Sequence, residues 1–493
     1  MRKKVTIIGA GPGGLACGMI LSSKGYEVEI YEKKPFIGGR NSSFTLGEYT
    51  FDLGPTFFLM KNILEEIFEE TGKKLHDYVK LIELKTMYRL KYKENRELYL
   101  FRDLEKIEKS LNSFSNGAYE KYKKYLSSEE IKYKKIIPCL SIPYSSFFDL
   151  FRPQFIKAIP WIDAHVSLFD VLKRYFDDPE LRLAFTFQSK YIGMSPWEAP
   201  GTFSILSYIE HGGGIYHVEG GVSKLSQAIA KVIKENGGKI YTSTPVKKII
   251  VKNKKAVGVE LENGEKIYTD YVVINADFAN AMINIIDPKD RKKYTDIELS
   301  KKKYSCSTFM IYLGVKKIWK EFPHHNIIFA DDYKKNVDDI IKYGNLSEDP
   351  SFYIQNASVT DSTLAPEGKS TIYILVPVPN NSYKINWDNE KDRFKNLIID
   401  LAEKKAGFKD LRKNIEFERI ITPNDWEKDM DIYLGAVFNL SHNIRQMLFL
   451  RPHNKFEEFD NCYLVGGGTH PGSGLPTIYQ SAKISSELIM KDK

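Results

Sequence analysis

The chain opens on a short apolar run, VTII at residues 5–8, which reads as a buried parallel strand. Six residues, GAGPGG at 9–14, interrupt it, and an apolar-rich stretch over 15–24 then reads as a helix that stops at Gly25. A second strand over 28–31 closes on Glu32, completing a compact βαβ unit. The glycine-bearing stretch 36–55 is expected to wrap the same site. From about 60 to 215 the pattern turns helical, Lys-rich and aromatic-rich. The α/β texture returns at Gly220. Leu225, Ile229, Val232 and Ile233 make one face of a helix over 223–236. Strand-like runs follow at 239–241, 246–251, 256–261 and 271–275, with Asn263-Gly264 as a hairpin signal. Residues 300–455 mix strands and helices. A last strand at 462–465, a glycine-rich segment at 466–476 and a helix to about 489 end the pattern. No repeat and no low-complexity tract is visible.

Composition narrows the class. Of 493 residues 42% are hydrophobic and 28% charged, enough apolar surface for a large core and too much for disorder. Aromatics reach 13%, which suits a large apolar cavity, a membrane-facing surface or an aromatic core. A net charge of +8 is too dispersed for nucleic acid and is compatible with an anionic membrane surface. Cys17, Cys139, Cys306 and Cys462 lie far apart with no CxxC pair, which argues against a disulfide framework or metal cluster and for a reducing, cytoplasmic setting. The basic, apolar start resembles a signal peptide, but Gly9, Gly11, Pro12, Gly13 and Gly14 break the run a secretory core requires. No stretch approaches 18 apolar residues, so no transmembrane helix is expected. The segment 136–161, IIPCLSIPYSSFFDLFRPQFIKAIPW, suits an interfacial membrane element or a loop-helix inside a substrate domain, and both readings stay open.

The glycine turn carries the first chemistry. In the GxGxxG pattern Gly9 permits the tight turn, Gly11 lets backbone approach a pyrophosphate, and Gly14 lets helix and strand close up. The helix N-terminus offers free N–H groups and a positive dipole end. Glu32, at the end of the second strand, suits both ribose hydroxyls and repels a 2′-phosphate, favouring FAD or NAD over NADP. Gly38-Gly39-Arg40 adds a guanidinium able to clamp a pyrophosphate. The segment YLVGGGTHPGSGLPTIYQSAKI is a second strand–turn–helix unit, whose helix N-terminus suits the negative charge of a reduced flavin. Gly212 to Gly214 and Gly220-Gly221 follow no clear strand, so no NAD(P)H site is expected.

These residues resemble the bacterial carotenoid desaturase family, the phytoene and C30 diapophytoene (dehydrosqualene) desaturases. The resemblance spans nearly the whole chain. It rests on the N-terminal motif, Glu32, FDLGPT at 51–56, SPWEAPGTFSIL at 195–206, EGGVSKL at 219–225 and YSCSTFMIYLGV at 304–315. It continues through HHNIIF at 324–329, TDSTLAPEG at 360–368, TPNDW at 422–426, LRPHN at 450–454 and GGGTHPGSGLP at 466–476. APGTFSIL and YSCS lean toward the C30 branch. One departure is the GGGTHPGSG here, where the family commonly has GAGTHPGAG.

The resemblance implies an α/β fold of the flavin amine oxidase-like superfamily. A Rossmann-like FAD-binding domain from residues 1–75, 216–300 and 456–493 is expected to interleave with an α+β substrate and membrane-associating region, 76–215 and 301–455. It implies non-covalent FAD, a long apolar tunnel for a polyene or isoprenoid hydrocarbon, and peripheral attachment of a cytoplasmic protein to a membrane surface. The expected cofactor set is Gly9, Gly11, Gly13, Gly14, Glu32, Lys33, Gly39, Arg40, Gly54, Pro55, Val246, Gly467, Gly468, Thr469 and Pro476. No metal is expected. Desaturation sends a hydride to flavin N5 and releases a proton; Asp361, then Asp149, and His470 are the candidate acid/base residues. Each also reads as a structural residue. Oxygen or a quinone would take the electrons, and homo-oligomerisation is left open. A carotenoid isomerase or oxygenase, an amine or protoporphyrinogen oxidase, and a non-catalytic FAD-binding membrane-associated protein are the alternatives.

Overall fold

The computed structural model describes residues 2–492. One half is a five-stranded, all-parallel sheet ordered Cys462–Leu464, Tyr271–Ile274, Lys4–Ile8, Glu27–Tyr31, Lys239–Tyr241. Three distant stretches of the chain therefore meet in one sheet. The inner strands are buried on both faces, as continuous apolar runs in parallel sheets require.

The helix after the first strand spans Pro12–Ser23, starting three residues before the apolar run suggested. Pro12 explains the difference: its fixed φ is already helical, and its missing N–H costs nothing in a first turn. This helix is buried almost all round, held between the helices Ser223–Glu235 and Leu475–Lys491 and the sheet. Gly18 allows that closeness, since a Cβ there would meet Ile30 and Ile7 at 3.0 and 3.3 Å. Leu225, Ile229, Val232 and Ile233 are buried on the inner face of Ser223–Glu235, as their spacing demands. An antiparallel sheet of Val246–Lys252, Lys255–Leu261 and Lys266–Tyr268 flanks this half, its second turn made at Gly264 with φ +86°.

The other half is a seven-stranded mixed sheet ordered Ile415–Ile421, Ser307–Val315, Ser370–Val378, Phe352–Asn356, His325–Ile328, Thr86–Lys91, Glu97–Phe101. All nine residues of Ser307–Val315 are buried. One face, with Phe309, Ile311 and Leu313, packs on the helix Trp387–Lys404 through Trp387, Phe394 and Ile398. The opposite face, carrying Met310, Tyr373 and Leu375, roofs a cavity. Each apolar side chain buried here contributes roughly 1.5–3 kcal/mol.

One expectation needs correcting. Gly220-Gly221 does follow a strand, Tyr216–Val218, and precedes the helix Ser223–Glu235. That strand pairs with Leu81–Glu83 in a separate antiparallel ribbon, so its glycines do not sit at the end of a parallel sheet. Among the described residues no helix is long and apolar enough to cross a membrane.

Candidate active site

An elongated cavity of about 910 Å³ runs from the end of the parallel sheet to the underside of the seven-stranded sheet. At the sheet end its wall is backbone. Gly9 has φ +94°, and its carbonyl accepts from Asn275 Nδ2 at 3.0 Å. A Cβ on Gly11 or Gly14 would come within 2.9 or 2.8 Å of Asn275 Nδ2, and one on Gly14 would also strike the Gly9 carbonyl. Only glycine gives this turn its shape against Asn275, a residue the sequence reading missed. Gly9, Gly11 and Gly13 line the cavity, and Gly14 supports them from behind.

Glu32 is buried at the cavity wall. Its carboxylate accepts from Ala10 N at 2.7 Å and Lys34 N at 2.8 Å. Burial pushes this carboxyl above its ordinary range, against the two N–H groups that favour its charge. Each carboxylate oxygen still has capacity to accept a further bond. Thr244 N donates to the Glu32 carbonyl at 2.8 Å, which places Val246 on the same wall. Lys33 lines this end with its ammonium paired to Asp431 at 2.8 Å.

Gly39, Arg40, Gly54 and Pro55 continue the wall. Arg40 Nη1 donates to Val437 O at 2.6 Å, its only hydrogen bond among the described residues. Burial lowers the guanidinium, opposed by Asp277. Burial in turn raises the Asp277 carboxyl to about 6 against the pull of Arg40. Gly54 is required where it stands, because a Cβ would meet Arg40 O at 2.7 Å.

The second glycine segment lies beside the first, where a Cβ on Gly13 would meet Gly466 N at 3.4 Å. Gly467 and Pro476 line the cavity, at the N-terminus of the helix Leu475–Lys491. Arg451 fixes this segment from behind, donating to Gly467 O at 2.6 Å and Thr469 O at 3.1 Å, and burial brings its guanidinium down to about 9. Gly468 and Thr469 do not line the cavity. Gly468 is glycine because Phe278 packs where its Cβ would stand, and Thr469 Oγ1 is committed to Pro452 O at 2.5 Å.

Beyond the second glycine segment the lining turns apolar: Leu140, Phe187, Ile192, Phe203, Leu206, Ile209, Ile327 and Phe329. Its polar groups are few. Tyr353 and Tyr373 hang from the seven-stranded sheet, and His442 Nε2 accepts from Ser473 N at 3.0 Å. Lys190 stands 4.7 Å from the Tyr333 ring with no acidic partner among the described residues, and burial brings its amine down to about 7.

None of the three acid/base candidates lines this cavity. Asp149 caps a short helical turn, accepting from Ser145 N at 2.7 Å and Ser146 N at 2.8 Å beside Arg152. Burial pushes its carboxyl up, but these partners outweigh burial and hold it low. His470 is fully buried against the Tyr144 ring, and burial takes its imidazole down to about 3, hence neutral. Asp361 lies outside this lining. It accepts from Gly220 N at 2.7 Å and Thr363 N at 2.9 Å, and its Oδ2 lies 2.8 Å from His217 Nε2. Burial again opposes the charge, and these bonds overcome it, leaving the carboxyl far below its usual range.

The segment 136–161 has a part that lines the cavity and a part that is exposed. Ile137 and Leu140 line the cavity. Phe147, Phe148 and Phe151 are 57%, 79% and 62% exposed, together with Ile156 and Ile159. Phe147 touches Phe449, next to Leu450, which is exposed too.

Two strand–glycine–helix units facing one cavity, with an acid at the second strand's end, define an FAD-binding oxidoreductase. The glycine cradle, the two helix N-termini, the accepting carboxylate and the sparsely bonded guanidinium all fit that dinucleotide. The model of the flavin-containing amine oxidoreductase family matches residues 12–490, and the chain belongs to that family. A 4,4'-diapophytoene desaturase (4,4'-diapolycopene-forming) from Methylomonas sp is 47% identical over 487 residues, covering 99% of this chain and 95% of the relative. A zeta-carotene-forming phytoene desaturase from Myxococcus xanthus is 34% identical over 492 residues, covering 99% and 94%. In structure, an oxidoreductase from Methanosarcina mazei superposes with a TM-score of 0.62 at 17% identity, covering 99% of this chain and 100% of the other. FAD is the cofactor.

Proposed function

We propose that this chain is an FAD-dependent carotenoid desaturase that introduces conjugated double bonds into the C30 hydrocarbon diapophytoene. One observation carries the reading: the cavity passes from a dinucleotide cradle into an apolar chamber with almost no polar group to grip a substrate. A hydrocarbon is the ligand such a chamber selects, by shape and by buried area at roughly 25 cal/mol per Å². The C30 choice follows the printed activity of the Methylomonas relative.

FAD, when bound, supplies the two-electron acceptor. Glu32 would receive the ribose hydroxyls, and the N-terminus of Pro12–Ser23 with Arg40 the pyrophosphate. Gly54, Pro55, Gly467 and Pro476 would border the flavin ring. The 1–75, 216–300 and 456–493 segments then serve the cofactor, and 76–215 with 301–455 the substrate. The exposed Phe147, Phe148 and Phe151 would enter the interface of a membrane where the substrate is dissolved, with Lys157 among the headgroups. The chain would thus work on the cytoplasmic face, passing electrons to oxygen or a membrane quinone.

The test is expression in cells making diapophytoene or phytoene, with pigments read by absorbance and mass. Long-wavelength polyene bands from diapophytoene are the expected result. Unchanged precursor in both strains, with folded flavoprotein present, would overturn the reading in favour of an isomerase or oxygenase.

A further inference from the structure

Desaturation takes a hydride and a proton from adjacent carbons, so a chamber this apolar must still offer the proton somewhere to go. Tyr353 lines the cavity from the strand Phe352–Asn356. Its Oη shares a bond of 2.9 Å with Thr56 Oγ1, a cavity residue beside Gly54 and Pro55, and lies 2.7 Å from His325 Nδ1. His325 begins a file of buried imidazoles. Its ring centroid is 4.5 Å from that of His324, which is 4.8 Å from that of His217. His217 Nε2 meets Asp361 Oδ2 at 2.8 Å. The motif HHN and the acid Asp361, far apart in sequence, thus form one polar file leading away from the cavity.

Two features suit this file to holding a proton on His325. His325 Nε2, His324 Nδ1 and His217 Nδ1 are buried without hydrogen-bond partners among the described residues, so the three rings meet by contact alone and act on His325 through their orientation and charge rather than by passing the proton along. At the far end Asp361 is a buried carboxylate whose bonding partners are an imidazole, a hydroxyl and backbone N–H groups, with no ammonium or guanidinium among the described residues. Its charge favours a proton held on His325.

We propose that Tyr353 is the catalytic proton acceptor of this enzyme, and that His325 receives the proton Tyr353 gives up. The proposal rests on the desaturase reading. As the C–H bond next to the electron-deficient carbon breaks, its electron pair becomes the new π bond. The proton bonds to Tyr353 Oη while the phenolic proton passes to His325 Nδ1. The phenol is unchanged and the imidazole gains one proton. Burial disfavours a lasting imidazolium at His325, so the proton returns over the same bond to Tyr353 and leaves through the cavity when the product departs. A proton next to a polyenyl cation is acidic enough for such a weak base. His324, His217 and Asp361 act through His325 and are positioning residues.

Tyr353→Phe removes the hydroxyl and keeps the ring. With the flavin-loaded wild type turning over diapophytoene as the control for the reading itself, the variant should retain FAD. It should lose about tenfold or more in kcat with KM nearly unchanged, and lose the solvent isotope effect of the wild type. Without turnover, ¹⁵N NMR of histidine-labelled protein should show one imidazole nitrogen losing its hydrogen-bond shift in Tyr353→Phe. Asp361→Asn, which removes charge and keeps shape, should lower kcat severalfold and leave KM alone. Tyr353→Phe within twofold of wild type in kcat, with the isotope effect intact, overturns the proposal. So does a large loss confined to Lys190→Met, which would give the proton to that amine instead.

Discussion

The two ends of the cavity are built from different materials. At the dinucleotide end the wall is backbone and glycine: Gly9, Gly11 and Gly13 approach the ligand because Asn275 leaves no room for a Cβ. At the hydrocarbon end the wall is side chains from strands and helices remote in sequence, among them Leu206, Phe187 and Phe329. The first end is intolerant of any added atom. The second tolerates exchange of one apolar group for another as long as volume is kept.

The sharpest way to break this contrast is Gly14→Val. The new side chain would strike the Gly9 carbonyl and Asn275, so FAD affinity should fall by about a hundredfold or more, on the order of 3 kcal/mol. Flavin absorbance retained after gel filtration measures it. A variant that stays fully yellow would mean the turn does not limit cofactor approach.

A smaller effect is expected at Asp52, the last residue of the strand Tyr49–Asp52. Its Oδ1 lies 3.4 Å from Ser223 N, and burial raises its carboxyl to about 6. The folded protein therefore binds this proton more tightly than the unfolded chain does. Wild-type stability should fall as pH rises from about 4 to about 6, and Asp52→Asn should not share that loss. The stability difference, variant minus wild type, should grow by on the order of 2 kcal/mol between pH 4 and pH 7. Urea unfolding at both pH values checks it, and a constant difference would contradict the buried-carboxylate account.

The smallest effect belongs to the exposed aromatics. Phe148→Ser should weaken binding to anionic vesicles by about fivefold, near 1 kcal/mol, since only part of one ring leaves the interface. FAD content should not change. Sedimentation with vesicles reads the first quantity and absorbance the second.

The βαβ start, Glu32 and the helix Ser223–Glu235 were legible because each depends on neighbours in sequence. A turn, a strand end and a 3.6-residue period are local. The glycine fingerprint located two cavity-lining residues, Gly9 and Gly11, but Asn275, against which they close, is brought there by the strand Tyr271–Ile274. Thr469 and Gly468 were legible as part of a motif and not as wall residues, because what turns them inward is Arg451, Pro452 and Phe278. Asp361 stood out as an acid in a distinctive stretch. Its distance from the cavity was invisible, since His217 and Gly220 lie far away in the chain.

The sequence by itself determined the class of cofactor. Phosphate binding uses the backbone of one turn and one helix end, and those conformations are written in adjacent glycines. Only the tertiary structure decided what surrounds the substrate. An apolar chamber has no motif: Leu140, Ile209 and Phe329 become one surface because a parallel sheet and a seven-stranded sheet close on each other. The same closure gathers three histidines, a tyrosine and an aspartate beside the cavity, from residues as far apart as 217 and 361.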